Sequence, residues 1–211
     1  MVINNNRDRQ RTRVVYVPVN TGGGSGGGSQ EKIKVGANGL KFTNSTFTEI
    51  PQIFDFSDVT DMKYMFQYCS NLTTLSGIDT SRVTTMEYMF RNCSSLINIS
   101  EIDTSQVTNM KFIFNSCFNL TTVPEMDVSN VTGMTSMFRY CSSLTDLGGF
   151  IGLKLSLDLS DSPLITHNSL MNVITKAADV TAAPATLSLG STNLAKLTDE
   201  EKSVATNKGW I

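Results

Sequence analysis

The sequence predicts an α/β repeat solenoid with a parallel β-sheet and short helices, covered by a segment at each end and preceded by an extended N-terminal arm. Three observations lead to this fold. A block of apolar residues recurs with a period of 24 across residues 57–149, a basic alternating segment opens the chain, and a Gly/Ser-rich stretch separates the two. A fixed period without insertions is typical of stacked units that cannot bury their apolar faces alone.

The repeat consists of columns of like residues at intervals of 24. Four of them are Val59, Val83, Val107, Val131; Met62, Met86, Met110, Met134; Phe66, Phe90, Phe114, Phe138; and Cys69, Cys93, Cys117, Cys141. The helix-like spacing from Val to Cys predicts a short helix in each unit, and the following Leu-Thr-x-Leu segment predicts a short strand. Stacked strands would form a parallel sheet, and a period of about 20–29 residues is typical of leucine-rich repeats.

The segments on either side of the repeats break the period. In residues 150–211, Leu153, Leu155, Leu157 and Leu159 alternate as in a strand, and residues 170–177 have one apolar helical face. Thr198 and Glu201 form a predicted capping box for a last helix, which Gly209 would end. We interpret residues 150–211 as the C-terminal capping region, and residues 31–56 as the N-terminal cap.

Residues 1–20 form the predicted docking arm. Four Arg and one Asp give residues 1–30 a net charge of +3, whereas residues 31–211 carry −5. Alternation with period two places the arginines on one face of a strand, and β-branched residues continue the strand preference. The arm would anchor the protein to other proteins of a larger assembly, although a solvated tail fits the same composition. The anchoring residues are Arg7, Arg9, Arg11, Arg13, Val15, Tyr16 and Val17.

Residues 21–30 form a Gly/Ser-rich linker that reaches on the order of 15–20 Å. Its apparent G-x-S-x-G and G-x-G-x-x-G motifs result from low complexity, since no strand-to-helix context accompanies them. A natural tether and an engineered fusion linker both fit this composition.

The sequence also leaves open whether the protein forms a homo-oligomer.

Composition excludes several functional classes. The net charge of −2 argues against nucleic acid as a partner, because such proteins are usually basic. No apolar stretch approaches the about 20 residues of a membrane span. Residues 14–19 are too short for an export signal, so we expect a protein made in the cytoplasm without a signal peptide. One His and four Cys leave little material for a catalytic or metal site. We therefore expect no enzymatic activity and no cofactor.

Two columns carry groups that could do chemistry. The cysteines (Cys69, Cys93, Cys117 and Cys141) would lie about 5 Å apart, within reach of disulfides, but a reduced and buried structural ladder is the expected arrangement. The aspartates (Asp55, Asp79, Asp103 and Asp127) each precede a Ser by two residues. We expect them to shape turns by accepting hydrogen bonds, and a calcium column is the alternative. The lone His167 is expected to be structural or exposed.

The positions that vary between units predict a binding face. Its residues are Tyr64, Tyr88, Phe112, Arg91, Arg139, Tyr68 and Tyr140. Aromatic side chains and Arg are typical of protein interfaces, although ordinary solvated surface has a similar composition.

Residues 83–96 and 131–144, with the pattern V-T-x-M-x-x-M-F-x-x-C-x-x-L, resemble the BspA-like leucine-rich repeat family. The tail from Leu187 to Trp210 also resembles the end of such proteins. The resemblance covers roughly residues 50–211. It implies a leucine-rich-repeat fold and a role in adhesion at bacterial surfaces, where family members bind host proteins.

We therefore expect a structural display protein of a larger assembly. A bacteriophage virion fits best, with the chain as a capsid decoration or fibre-like component whose arm anchors it while the repeats are displayed. The alternative is a bacterial surface or secreted adhesin that binds host protein or glycan.

Overall fold

A computed structural model describes residues 32–42, 47–100 and 102–211 of the chain. The predicted docking arm and the linker lie outside these residues. The described part is an α/β structure made of short parallel sheets and a few short helices. In chain order its elements are β1 (Ile33–Lys34), β2 (Phe54–Asp55), β3 (Thr74–Leu75), β4 (Asn98–Ile99), β5 (Thr122–Val123), β6 (Met126–Asp127), β7 (Asp146–Leu147), β8 (Phe150–Ile151), β9 (Leu157–Asp158), α1 (His167–Lys176), β10 (Leu187–Ser188), α2 (Gly190–Leu194) and α3 (Asp199–Asn207).

Every strand pair in the described structure is parallel. The largest sheet has four strands in the order β3-β4-β5-β7, and three smaller sheets pair β1 with β2, β6 with β8 and β9 with β10. Within the four-stranded sheet, Thr74 pairs with Asn98, Asn98 with Thr122, and Thr122 with Asp146. A second line of parallel bridges joins Asp61, Thr85, Asn109 and Gly133. Successive repeats therefore lie side by side with equivalent positions paired, and the predicted strand in each repeat is confirmed.

The helix predicted within each repeat is wrong. Residues 63–68 and their counterparts form consecutive turns, in which an amide donates to the carbonyl three residues earlier, as Met65 does to Met62 (3.1 Å) and Cys69 to Phe66 (3.1 Å). The amides of alternate residues, at positions 62, 64, 66 and 68, donate to the next repeat instead. Tyr64 donates to Glu87 (3.0 Å) and Tyr68 to Arg91 (2.9 Å). An α-helix would satisfy these amides within the segment, whereas here they join one repeat to the next.

The like residues of the columns lie above one another in the core. The rings of Phe42, Phe66, Phe90, Phe114 and Phe138 stack with centroids 5.3, 5.6, 5.7 and 5.6 Å apart. The four cysteines are free thiols and are fully buried. Each thiol donates to a carbonyl of the preceding layer, as Cys93 does to Phe66 (3.0 Å) and Cys117 to Phe90 (3.1 Å). Identical side chains thus pack against themselves, which explains why one unit alone could not bury them.

Residues 150–211 pack against the fourth repeat and its sheet. Helix α1 contacts β7, β8 and α3, and it buries Leu170, Val173 and Ile174 as the sequence predicts. Lys208 donates to three carbonyl oxygens at the end of α1, those of residues 174, 175 and 177. The capping box of α3 is confirmed, with Thr198 accepting from the amide of Glu201 at 3.2 Å. The strand expected over residues 153–159 is shorter, because only Leu157–Asp158 pairs with a neighbour.

No helix in the described ranges combines the length and the apolar character needed to cross a bilayer.

Candidate functional site: the turn ridge

The solvent side of the stacked turns collects the residues that vary between repeats. We call this surface the turn ridge and define it as the outward-facing residues within the turns 62–69, 86–93, 110–117 and 134–141. Two residues of each turn, four apart, have left-handed backbone conformations although none is glycine. They are Tyr64, Tyr68, Tyr88, Asn92, Phe112, Ser116, Ser136 and Tyr140, with φ between 53° and 64°. Such a conformation costs a residue with a Cβ roughly 1–2 kcal/mol. In the first three repeats, hydrogen bonds to the next repeat offset this strain.

One column of the turn ridge is an aromatic stack. The rings of Tyr64 and Tyr88 are 4.9 Å apart and those of Tyr88 and Phe112 are 4.8 Å apart, with interplanar angles of 13° and 2°. The ammonium group of Lys41 lies 4.8 Å from the centroid of the Tyr64 ring. The stack ends at Ser136, which occupies the same position in the fourth repeat.

Two arginines of the predicted binding face lie against tyrosine rings. The Arg91 guanidinium lies 5.7 Å from the centroid of Tyr88, and its Nε is buried with no hydrogen-bond partner in the described structure. The Arg139 guanidinium covers Tyr140 at 4.8 Å and donates to the Tyr140 hydroxyl at 2.9 Å. Tyr68 and Tyr140 are about half exposed, at 47% and 45%. The ridge therefore presents rigid aromatic and cationic groups to the solvent.

A recess opens where the turn ridge meets residues 150–211. It has two neighbouring lobes of about 300 and 520 Å³, and Ser136 and Asp158 line both. The smaller lobe is also lined by Arg139, Ser160 and Asp161. The Asp158 carboxylate is oriented by Ser160, whose amide donates at 2.9 Å and whose hydroxyl donates at 2.6 Å. Volumes of this size are typical of ligand-binding clefts.

The aspartate column shapes turns, as the sequence predicts. The amides of Ser57, Ser81, Ser105 and Ser129 donate to Asp55, Asp79, Asp103 and Asp127 at 2.9–3.0 Å. The Ser81 hydroxyl and amide hold the pKa of Asp79 below its usual value, and the Ser57 amide does so for Asp55. Across residues 32–42, 47–100 and 102–211, no three His, Cys, Asp or Glu side chains converge as a metal site would require.

The pKa values of the buried thiols are raised, whereas those of Asp55 and Asp79 are lowered. Burial raises the pKa of Cys93 and Cys117 far above the ordinary value and raises that of Cys141 to about 12. A thiol needs to ionise before it acts as a nucleophile or a metal ligand, so these cysteines serve the core. His167 is exposed, as expected, and its Nε2 lies 2.8 Å from Glu201.

The structure places all seven residues of the predicted binding face in the turns of the ridge, in three columns that begin at positions 64, 67 and 68. Sequence reasoning missed the lysines beside Tyr64 and the carboxylates of the recess, Asp158 and Asp161. Lys63, for example, pairs with Glu87 of the next repeat, and this hydrogen bond raises the pKa of Lys63. The sequence signal for such pairs is an acid one full period after a base. No such signal marks the recess, because residues 158 and 161 lie outside the periodic part of the chain.

Comparison with known proteins places the repeats in a family. Residues 39–148, just over half of the chain, match the family model described as "Mycoplasma protein of unknown function, DUF285". A search of curated proteins finds no match. The matched range covers β2 to β7 and the stacked turns between them. The chain therefore belongs to the DUF285 family.

Proposed function

We propose that this protein is a non-enzymatic display protein whose body is a leucine-rich-repeat solenoid of the BspA-like type. In this account, residues 31–56 and 150–211 cap the ends of the solenoid. The uniform pairing of equivalent positions and the buried columns of Phe and Cys support the solenoid, because they repeat one local geometry from unit to unit.

The observation that carries a binding role is the division between the two sides of the turns. Inward positions keep the same or a similar apolar residue in every repeat, whereas outward positions change from Tyr to Phe, Asn, Arg or Ser. The hydrogen bonds between repeats need the left-handed backbone but not its side chains, yet all eight left-handed residues carry a side chain where glycine would be unstrained. The turn ridge is thus the displayed interaction surface, and its aromatic and Arg side chains are suited to contact another protein.

The larger assembly that carries the solenoid is a bacteriophage virion in our proposal. The basic arm and the Gly/Ser-rich linker support this, since together they form an anchor and a tether ahead of a displayed body. Deletion of residues 1–20 is expected to abolish co-sedimentation with purified particles, while Tyr88→Ala on the ridge leaves it unchanged. Particle association retained by the deletion variant would overturn the anchoring role.

A second candidate is a bacterial surface or secreted adhesin that binds host protein or glycan. The description of the matched family as a Mycoplasma protein favours it, because it points to a cellular origin. Antibodies against the chain distinguish the two candidates. Labelling of intact cells that is lost after surface proteolysis supports the adhesin, and labelling of purified particles supports the virion component.

A further inference from the structure

The hydrogen bonds that join the turns of successive repeats stop at the fourth repeat, which leaves backbone amides of that repeat unpaired. In the third repeat, Met110 donates to Gly133 (2.9 Å) and Phe112 to Thr135 (3.0 Å). The corresponding amides of the fourth repeat, those of Met134 and Ser136, have no acceptor among residues 32–42, 47–100 and 102–211. Both residues line the recess. An edge of unpaired amides is a template onto which an extended segment can add its carbonyl oxygens.

The recess beside this edge has the chemistry of a peptide groove. Leu155 and Leu157 line the lobe along the unpaired amides, and Asp158 lines both that lobe and the smaller one. At the far end, Asp161 accepts weakly from the amide of Tyr140 at 3.3 Å. Two cations also line the recess. The Arg139 guanidinium is turned toward the Tyr140 hydroxyl, and the aliphatic chain of Lys111 lies over Gly133 in the larger lobe, so Asp158 and Asp161 are the groups that can pair with an incoming cation.

We propose that residues 7–17 of the chain's own N-terminal arm dock in this recess as an extended strand. Carbonyl oxygens of the arm accept from the amides of Met134 and Ser136, and its arginines pair with Asp158 and Asp161. Successive carbonyls on one edge of a strand are two residues apart, as are the two amides. The alternating Arg residues and the β-branched Val residues of the arm match the carboxylates and the partly buried Leu155 of the recess.

The tether is long enough for the arm to reach the recess of the same molecule. Five layers separate the level of Ala37 from the recess, a distance on the order of 25 Å. Residues 18–31 have an r.m.s. span of about 20 Å and a much longer contour. Tethering at this length gives an effective concentration in the mM range, which favours the molecule's own arm over that of a second copy.

This inference rests on the proposed function for its biological use. An arm held in the recess of the free protein would be displaced when an assembly partner with a better acidic surface binds it.

The test places a spin label at position 12 of the full-length chain through Thr12→Cys, since the native thiols are buried. The amide resonances of Met134 and Ser136 are expected to broaden strongly, and the protein is expected to be monomeric by light scattering. In the double variant Asp158→Lys, Asp161→Lys, the broadening should fall at least severalfold. Asp79→Lys is the matched control, because Asp79 makes the same turn with Ser81 away from the recess.

Uniform weak broadening over the whole surface would overturn the inference, and so would broadening that depends on protein concentration, which indicates docking in a second copy. Because the double variant could perturb the local fold, an unlabelled peptide of residues 5–19 provides a second measurement. The tethered arm has an effective concentration in the mM range, so the peptide is added to the labelled Thr12→Cys chain in excess of that, at about 10 mM. It should relieve the broadening, and no relief would also overturn the inference. The particle assay of the arm deletion is independent of these readouts, so either proposal can fail while the other stands.

Discussion

Replacing Ser116 by glycine and, separately, by alanine tests whether the turns are left-handed. The test is which of the two variants has the higher free energy of unfolding. Ser116 has φ +62° and its hydroxyl donates to Asn115 at 3.1 Å. Both replacements lose this hydrogen bond, so the difference between them isolates the backbone. Alanine keeps the left-handed strain of roughly 1–2 kcal/mol, and glycine relieves it at an entropic cost of about 0.4–1 kcal/mol. The glycine variant should therefore be more stable by about 0.5–1 kcal/mol.

A helix at this position predicts the opposite order. In a helix interior, alanine is more stable than glycine by about 1 kcal/mol. Ser203 lies within α3 and provides the matched control. There the alanine variant should have the higher free energy of unfolding, by about 1 kcal/mol over the glycine variant. Urea unfolding of the four variants, followed by circular dichroism with a common slope, measures both differences. An alanine variant that is more stable than the glycine variant at position 116 would refute the turn geometry.

Four further predictions follow from the core, the thiols, the aspartate turns and the last helix. Phe90→Ala should lower the free energy of unfolding by about 3–5 kcal/mol, since Phe90 is fully buried between two rings, and Phe118→Ala, on the surface, should change it little. Cys141 should resist Ellman's reagent in native protein at both pH 7 and about pH 9 and react at once in urea, because burial raises its pKa to about 12. Prompt native labelling would contradict this. The hydrogen bonds from Ser81 that lower the pKa of Asp79 also stabilise the folded state. This contribution is complete above the unfolded-state pKa of about 4 and is lost as the pH falls through the lower pKa of the folded state. Comparing the urea midpoints of wild type and Asp79→Asn near pH 7 and near pH 3 measures it, and identical pH dependence would contradict it. Thr198→Ala should cost about 1 kcal/mol through loss of the capping box, and an unchanged melting temperature would show that the cap is dispensable.

The buried columns could be predicted from the sequence, because a fixed period of 24 places equivalent apolar residues at the same position in every repeat. Val59, Met62, Cys69, Leu72 and Leu75 are all buried, as the repeat indicates. The short strands followed from the same register. The cysteine ladder and the aspartate turns were likewise predictable, since both depend on local spacing and on stacking alone.

The turns could not be distinguished from a helix by the presence of apolar residues at spacings of three and four. A sharper signal was available in the spacing itself. Met62, Met65, Cys69, Leu72 and Leu75 remain buried with an average step close to three residues. In an α-helix, each of the three steps of three residues would fall about 60° short of a full turn and the one step of four would overshoot by about 40°. The five positions would therefore drift by about 140° around the helix instead of facing one side. The left-handed positions also lack glycine, the residue that normally marks them.

The recess could not be predicted because it depends on how two non-equivalent parts of the chain meet. Ser136 belongs to the last repeat, whereas Asp158 and Asp161 follow the point where the period fails. Their distance in space is set by the path of residues 150–157, which no periodic pattern specifies. Helix α2 escaped prediction for a similar reason, since five residues beginning with Gly190 carry no amphipathic signal.

The most direct test of the account is the hydrogen-bond partner of the Tyr88 amide. Scalar couplings across hydrogen bonds, measured by NMR in labelled full-length protein, connect an amide nitrogen to the carbonyl that accepts from it. The stacked-turn structure predicts a coupling from Tyr88 to the carbonyl of Lys111 in the next repeat, where the distance is 3.0 Å. A coupling from Tyr88 to Thr84 instead, four residues earlier in its own repeat, would contradict the account.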